Sequence, residues 1–226
     1  MKPLQTDAHL LKLCSQHPDS AVFRDAVVFG SALSHDFLVR LWLTEGIPFA
    51  FRECPAVYEA ARAWLGWRLG VYPKEITLLG SARIGFSLSP PPKYGQAFGP
   101  DSDLDLSVVS ESLFQKMVET FNQWHADYER CTVQPRHQTE QGYWDQNIKV
   151  GQRSISNSFL DANKIPNLGR YPVAQDLNQA MWELKKKLEV TPGAPNPRKA
   201  SVRVYTSWPA LVSRVSFNLR FALRTR

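Results

Sequence analysis

One stretch constrains this chain more than any other: Asp101-Ser102-Asp103-Leu104-Asp105-Leu106-Ser107-Val108-Val109. From Asp103 to Val108 polar and apolar residues alternate, the period of a strand with one face buried. Leu104, Leu106 and Val108 then point into a core, and Asp103 and Asp105 point the other way, with Cα atoms about 6.5–7 Å apart. Two like charges on one strand face repel unless a cation neutralises them. A second apolar strand is expected over Ile76-Thr77-Leu78-Leu79, ending in a Gly80-Ser81 turn.

Two carboxylates on one rigid face are suited to magnesium or manganese, and a pair of such ions about 4 Å apart is the clamp used for in-line phosphoryl transfer. Asp101, Asp103 and Asp105 also match the first positions of a calcium-binding EF-hand loop, but Ser107, Val109 and Leu113 do not complete it.

A Gly-Ser turn after one strand and an Asp-x-Asp on the next resembles the DNA-polymerase-β-like nucleotidyltransferase superfamily, in its bacterial members. The resemblance covers residues 76–109. It implies an α+β fold with a mixed central sheet flanked by helices. It implies that Gly80, Ser81 and Ser102 meet the triphosphate of a nucleotide such as ATP, and that Asp103 and Asp105 hold Mg2+ or Mn2+ as catalytic residues. The acceptor would be a nucleotide, an RNA end or a protein hydroxyl. Active members place a third carboxylate on a neighbouring strand. The best later strand here, Ala200 to Thr206, offers none, and Glu129, Glu140, Asp145 and Asp161 remain as candidates, with Glu129 preferred as the start of a short strand. The second reading is a degenerate domain that binds nucleotide, nucleic acid or a protein without turnover, as in antitoxins or sensors of antiviral defence. The transfer reading requires both aspartates to face one way with room for ions, and an arginine lodged against them would remove that room.

The loop between the two motif halves is long. Ala82 to Ser89 is expected to continue as a short helix or tight segment, and Pro90-Pro91-Pro92 fixes an extended turn. A lid-like hairpin beside the site is expected, with Arg83 and Lys93 as candidates to meet phosphates.

Elsewhere the chain divides into an N-terminal helical region, 1–72, and a nucleotidyltransferase-like domain, 73–226. Helices are expected after Asp7, after Asp19 or Ser20, after Ser34 and from Pro55 to Gly70. Leu113, Phe114, Met117, Val118, Phe121 and Trp124 form the stripe of an amphipathic helix over 111–128. A short strand is expected over 129–135, and 136–172 reads as irregular. A helix returns over 174–189, and Ser207 caps a last helix whose end carries Arg214, Arg220, Arg224 and Arg226. In 226 residues the net charge is +6, which favours anionic partners such as nucleotides or RNA. No apolar run approaches the ~20 residues of a membrane span. Met1 to Asp7 lacks the apolar core of a signal peptide. Three widely spaced cysteines, Cys14, Cys54 and Cys131, form no disulfide framework or zinc pattern. A reducing cytoplasm is therefore expected.

Overall fold

The structure is a computed structural model that describes residues 6–224. Most of the stretch Met1 to Asp7, read above for a signal peptide, and Arg226 lie outside the described residues. The fold is α+β: a mixed four-stranded sheet with helices on both faces. In chain order the elements are α1 (Ser20–Phe29), α2 (Ala32–Leu38), α3 (Pro55–Leu69), β1 (Ile76–Leu79), α4 (Gly80–Ile84), β2 (Leu104–Val109), α5 (Glu111–Glu129), α6 (Gln138–Ser156), β3 (Phe159–Asp161), α7 (Pro172–Val190), β4 (Ala200–Tyr205) and α8 (Trp208–Arg224). The strand order is β1-β2-β4-β3, with β2 and β4 parallel and both outer pairs antiparallel.

The alternation in β2 works as the sequence requires. Leu104, Leu106 and Val108 are buried. They join Ile76, Leu78, Val202, Val204 and Leu160 against α3, α5 and α7. Met117 and Phe121 of α5 are sealed in this layer, each contributing about 1.5–3 kcal/mol through removal from water. A second apolar cluster covers part of the opposite face, where α1, α2 and α8 pack over Val109, Phe159 and Tyr205.

Local signals explain most helix boundaries. The Asp19 carboxylate accepts from the Ala21 and Val22 amides at the start of α1. Pro55 opens α3 and Gly70, at φ 66°, closes it. Ser31 caps α2, with Ser34 at the third helical position completing a capping box, so the cap lies three residues earlier than expected. The expected helix after Asp7 is one 3-10 turn, Leu10–Lys12. The expected strand over 129–135 is absent: Glu129 ends α5, and the Thr132 and Val133 amides turn back onto the Asp127 carbonyl. The segment read as irregular contains α6 and β3.

Candidate functional site

The register Leu79↔Asp105 brings the end of β1 beside the acidic residue of β2. The chain must turn sharply there into the five-residue α4, and Gly80 does so at φ 66°. A Cβ on Gly80 would sit 3.3 Å from Asp105 Oδ2. The Gly-Ser turn and the second aspartate are therefore immediate neighbours.

Together with Ser201, Arg203 and Asp161 they line an open cavity of about 600 Å³, with α8 on its far side. Its rim carries Ser87, Leu88, Ser89 and Pro90. These belong to a hairpin-like loop, in which the Ser87 amide donates to the Gln96 carbonyl and Phe86 bridges Ala97. The loop is pinned to α1 by the Tyr94 hydroxyl, which donates to the Ser20 carbonyl at 2.8 Å.

Asp103 and Asp105 share one sheet face: Asp105 meets Ser201 of β4 and Asp103 reaches Lys199, two residues earlier. Their surroundings differ from a two-metal site. Arg198 donates to both oxygens of Asp103, each at 3.0 Å, and Lys199 Nζ lies 3.5 Å away. Asp105 accepts from Ser201 Oγ at 2.8 Å. At the position where a third carboxylate is sought, β4 presents Ser201 and Arg203.

Asp161 lies on β3, but Arg203 holds it through Nε at 2.7 Å and Nη2 at 3.1 Å. Burial works against the Arg203 charge. Asp161 and Tyr205 more than offset that, and its guanidinium is held above the ordinary arginine range. With β4 between them and a register offset of two residues, the Cα atoms of Asp161 and Asp105 are about 12 Å apart, and Arg203 occupies both oxygens of Asp161. Three aspartates on this face thus stand against three cations. The residues present do not fit a pair of magnesium ions in this arrangement, and among the described residues no cluster of three His, Cys, Asp or Glu is placed to hold a metal.

The other sequence candidates are scattered. Arg83 is 1% exposed and does not line the cavity. It donates to the Trp42 and Gly46 carbonyls at 3.1 and 2.8 Å, fastening the segment after α2. Burial brings its guanidinium down to about 10, with Tyr58 and Glu45 opposing. Lys93 is exposed at the loop turn and does not line the cavity. Ser102 receives the Gly99 amide on its hydroxyl, a loop contact rather than one into the cavity. Glu129 pairs with His125 on α5, Glu140 with Arg136 at the start of α6, and Asp145 accepts from Tyr128. None of these acids reaches the site.

Sequence reasoning did not single out Ser201, Arg203 or Arg198 as partners of the aspartates. The alternation over 200–206 places Ser201 and Arg203 on one strand face, which is the signal that pointed there. All three cysteines are unpaired, and no described helix is long and apolar enough to cross a membrane. Comparison with family models, with curated proteins and with solved structures finds no match.

Proposed function

We propose that this chain is a nucleotidyltransferase-like domain that takes a nucleoside triphosphate against the Gly80–Ser81 turn and holds it without transferring it. The observation that carries this reading is the pairing of Asp103 with Arg198 and Lys199. A carboxylate already satisfied by a bidentate guanidinium offers little to a dication. With Ser201 and Arg203 on β4, the acids and bases of the face balance. Such a surface suits the recognition of a polyanion through exchange of partners, rather than the charge clamp that transfer demands.

One observation favours the transfer reading. The Arg198 and Lys199 side chains are 63% and 59% exposed. Exposed ion pairs contribute about 0–1 kcal/mol, so Arg198 is released from Asp103 at small cost.

Both readings meet one experiment. The chain is titrated calorimetrically with ATP and GTP, and incubated with labelled triphosphates and magnesium or manganese, with and without RNA. The expected result is binding without label transfer, in the natural chain and in Arg198→Ala alike. Transfer that appears or rises in Arg198→Ala and disappears in Asp103→Ala and Asp105→Ala establishes the transfer reading instead. No binding under any condition removes both.

A further inference from the structure

A cavity larger than that at the Gly80–Ser81 turn lies elsewhere. It has a volume of about 1320 Å³ and lies between α2 and the segment after it, the first turns of α3, β1 and α8. Its α8 wall is formed by Trp208, Val212, Ser213, Ser216 and Arg220, whereas Val215, Asn218, Leu219 and Ala222 of the same helix face the Gly80–Ser81 cavity. The two cavities therefore lie on different faces of one helix.

The interior is mainly apolar, with Leu33, Ile47, Tyr58, Ile76, Trp208 and Val212 on its surface. Set among these are Arg40, Lys74 and Arg220, from three separate segments, none of which forms an ion pair among the described residues. A fourth cation, Arg62, is paired with Glu59. Of the other two acids, neither forms an ion pair among the described residues; Asp36 accepts the Ser216 hydroxyl at 2.7 Å, and Glu45 completes the lining, so four cations face three carboxylates.

The second observation concerns nitrogen atoms. Arg62 Nε and Arg220 Nε are buried with no hydrogen-bond partner, and so is Nη2 of Arg83. Arg83 is 1% exposed and is bonded through its other nitrogens to Gly46, on the cavity wall, and to Trp42. Buried donors without partners are rare in folded proteins, and each calls for an explanation. Of these three side chains, Arg62 and Arg220 belong to the wall of the cavity, and Arg83 lies behind it, bonded to Gly46 on that wall. Guanidinium groups match phosphate oxygens in geometry and charge. Ordinary ligand cavities hold about 300–1000 Å³, so this one accommodates far more than an inorganic ion, and its mixture of apolar and charged walls suits a ligand that carries both kinds of surface.

We propose that this cavity binds an organic phosphate with an aromatic or apolar body, of nucleotide size or larger, without a divalent metal. The phosphates lie toward Arg40, Lys74 and Arg220, and the body lies against Tyr58 and Trp208. This site is separate from the Gly80–Ser81 turn and stands whether or not a nucleotide binds there.

The test is calorimetric titration of the full chain in EDTA with three probes: ATP, inorganic pyrophosphate and decanoate. ATP is expected to bind at least tenfold more tightly than either of the others. Arg40→Gln with Lys74→Gln, both exposed positions that leave the core untouched, is expected to weaken ATP at least tenfold, and Arg220→Gln likewise. Ser81→Ala is titrated in parallel. A loss of ATP binding confined to Ser81→Ala assigns the nucleotide to the other cavity and overturns this proposal while supporting the earlier one. Absence of ATP binding in EDTA, or decanoate binding more tightly than ATP, also overturns it.

Discussion

Arg203 ties the last two strands together, and its removal has a cost that the structure allows to be bracketed. Its guanidinium grips both oxygens of Asp161 and lies 4.8 Å from the centre of the Phe159 ring. Breaking a fully buried pair by deleting one partner costs about 3–5 kcal/mol, whereas an exposed pair contributes about 0–1 kcal/mol. The Arg203 and Asp161 side chains are 33% and 20% exposed, between those limits and nearer the buried one. Arg203→Met keeps an aliphatic stem and removes the guanidinium with its bonds to Asp161 and its contact with Phe159, so a loss of roughly 2 kcal/mol is expected. For a chain of this size that lowers Tm by about 4–8 °C. Urea unfolding followed by circular dichroism measures it, with the slope unchanged. Asp161→Ala completes a double-mutant cycle with an expected coupling of about 1–2 kcal/mol. A loss below about 0.5 kcal/mol, or no coupling, would refute the assignment of this pair as the clamp between β3 and β4.

Three further outcomes follow from the packing. Gly80→Ala forces a side chain into the left-handed region beside Asp105, and thermal unfolding should show a loss of about 1–2 kcal/mol. Gly151→Ala drives a methyl to 2.3 Å from the buried Phe121 ring; α6 has to shift, and chemical unfolding should show about 1–3 kcal/mol lost. Desolvation pushes the Asp127 carboxyl up, but hydrogen bonds from Thr132 and Tyr171 and the Arg170 charge outweigh it, and the carboxyl titrates below its ordinary value. Its contribution is therefore complete above the unfolded-state value and drains away as pH falls through the folded one. The stability difference between the natural chain and Asp127→Asn should shrink on acidification from pH near 6 to near 3, as urea midpoints at each pH will show.

The parts of the fold legible in the sequence are those with a strong local period or an unambiguous terminus. Asp19, Pro55 and Gly70 bound helices because each satisfies backbone groups at a helix end whatever the tertiary context. β1 was legible as a short apolar run ending in a Gly-Ser turn, and β2 and β4 as alternations whose Leu104, Leu106, Val108, Val202 and Val204 are buried. α6 was hidden by its polar surface. It carries Trp144, Ile148, Gly151 and Ile155 at helical spacing, but the glycine, which lets Phe121 approach, reads as a break. The strand expected at 129 failed for a tertiary reason. Asp127, held by Arg170 and Tyr171 from far along the chain, draws the Thr132 hydroxyl to its carboxylate and Thr132's amide to its carbonyl. At the site, the nearness of Gly80 to Asp105 was implied by the resemblance of the two motifs, and the antiparallel pairing of β1 with β2 supplies it. The pairing of Asp103 with Arg198 was not legible, because no local pattern reports which residue of a distant turn reaches back.

The centre of the sheet joins distant parts of the chain: Asp105 and its partner Ser201 are 96 residues apart. β1 and β2 are near neighbours in sequence and meet early, whereas β2 waits with its other edge bare until β4 has been made. Such long closures are slow to form. A nascent chain therefore carries a lone apolar hairpin with naked aspartates until the 96 residues from Asp105 to Ser201 have been made. A ribosome-stalled fragment ending before Arg198 would expose that edge to any strand that came near.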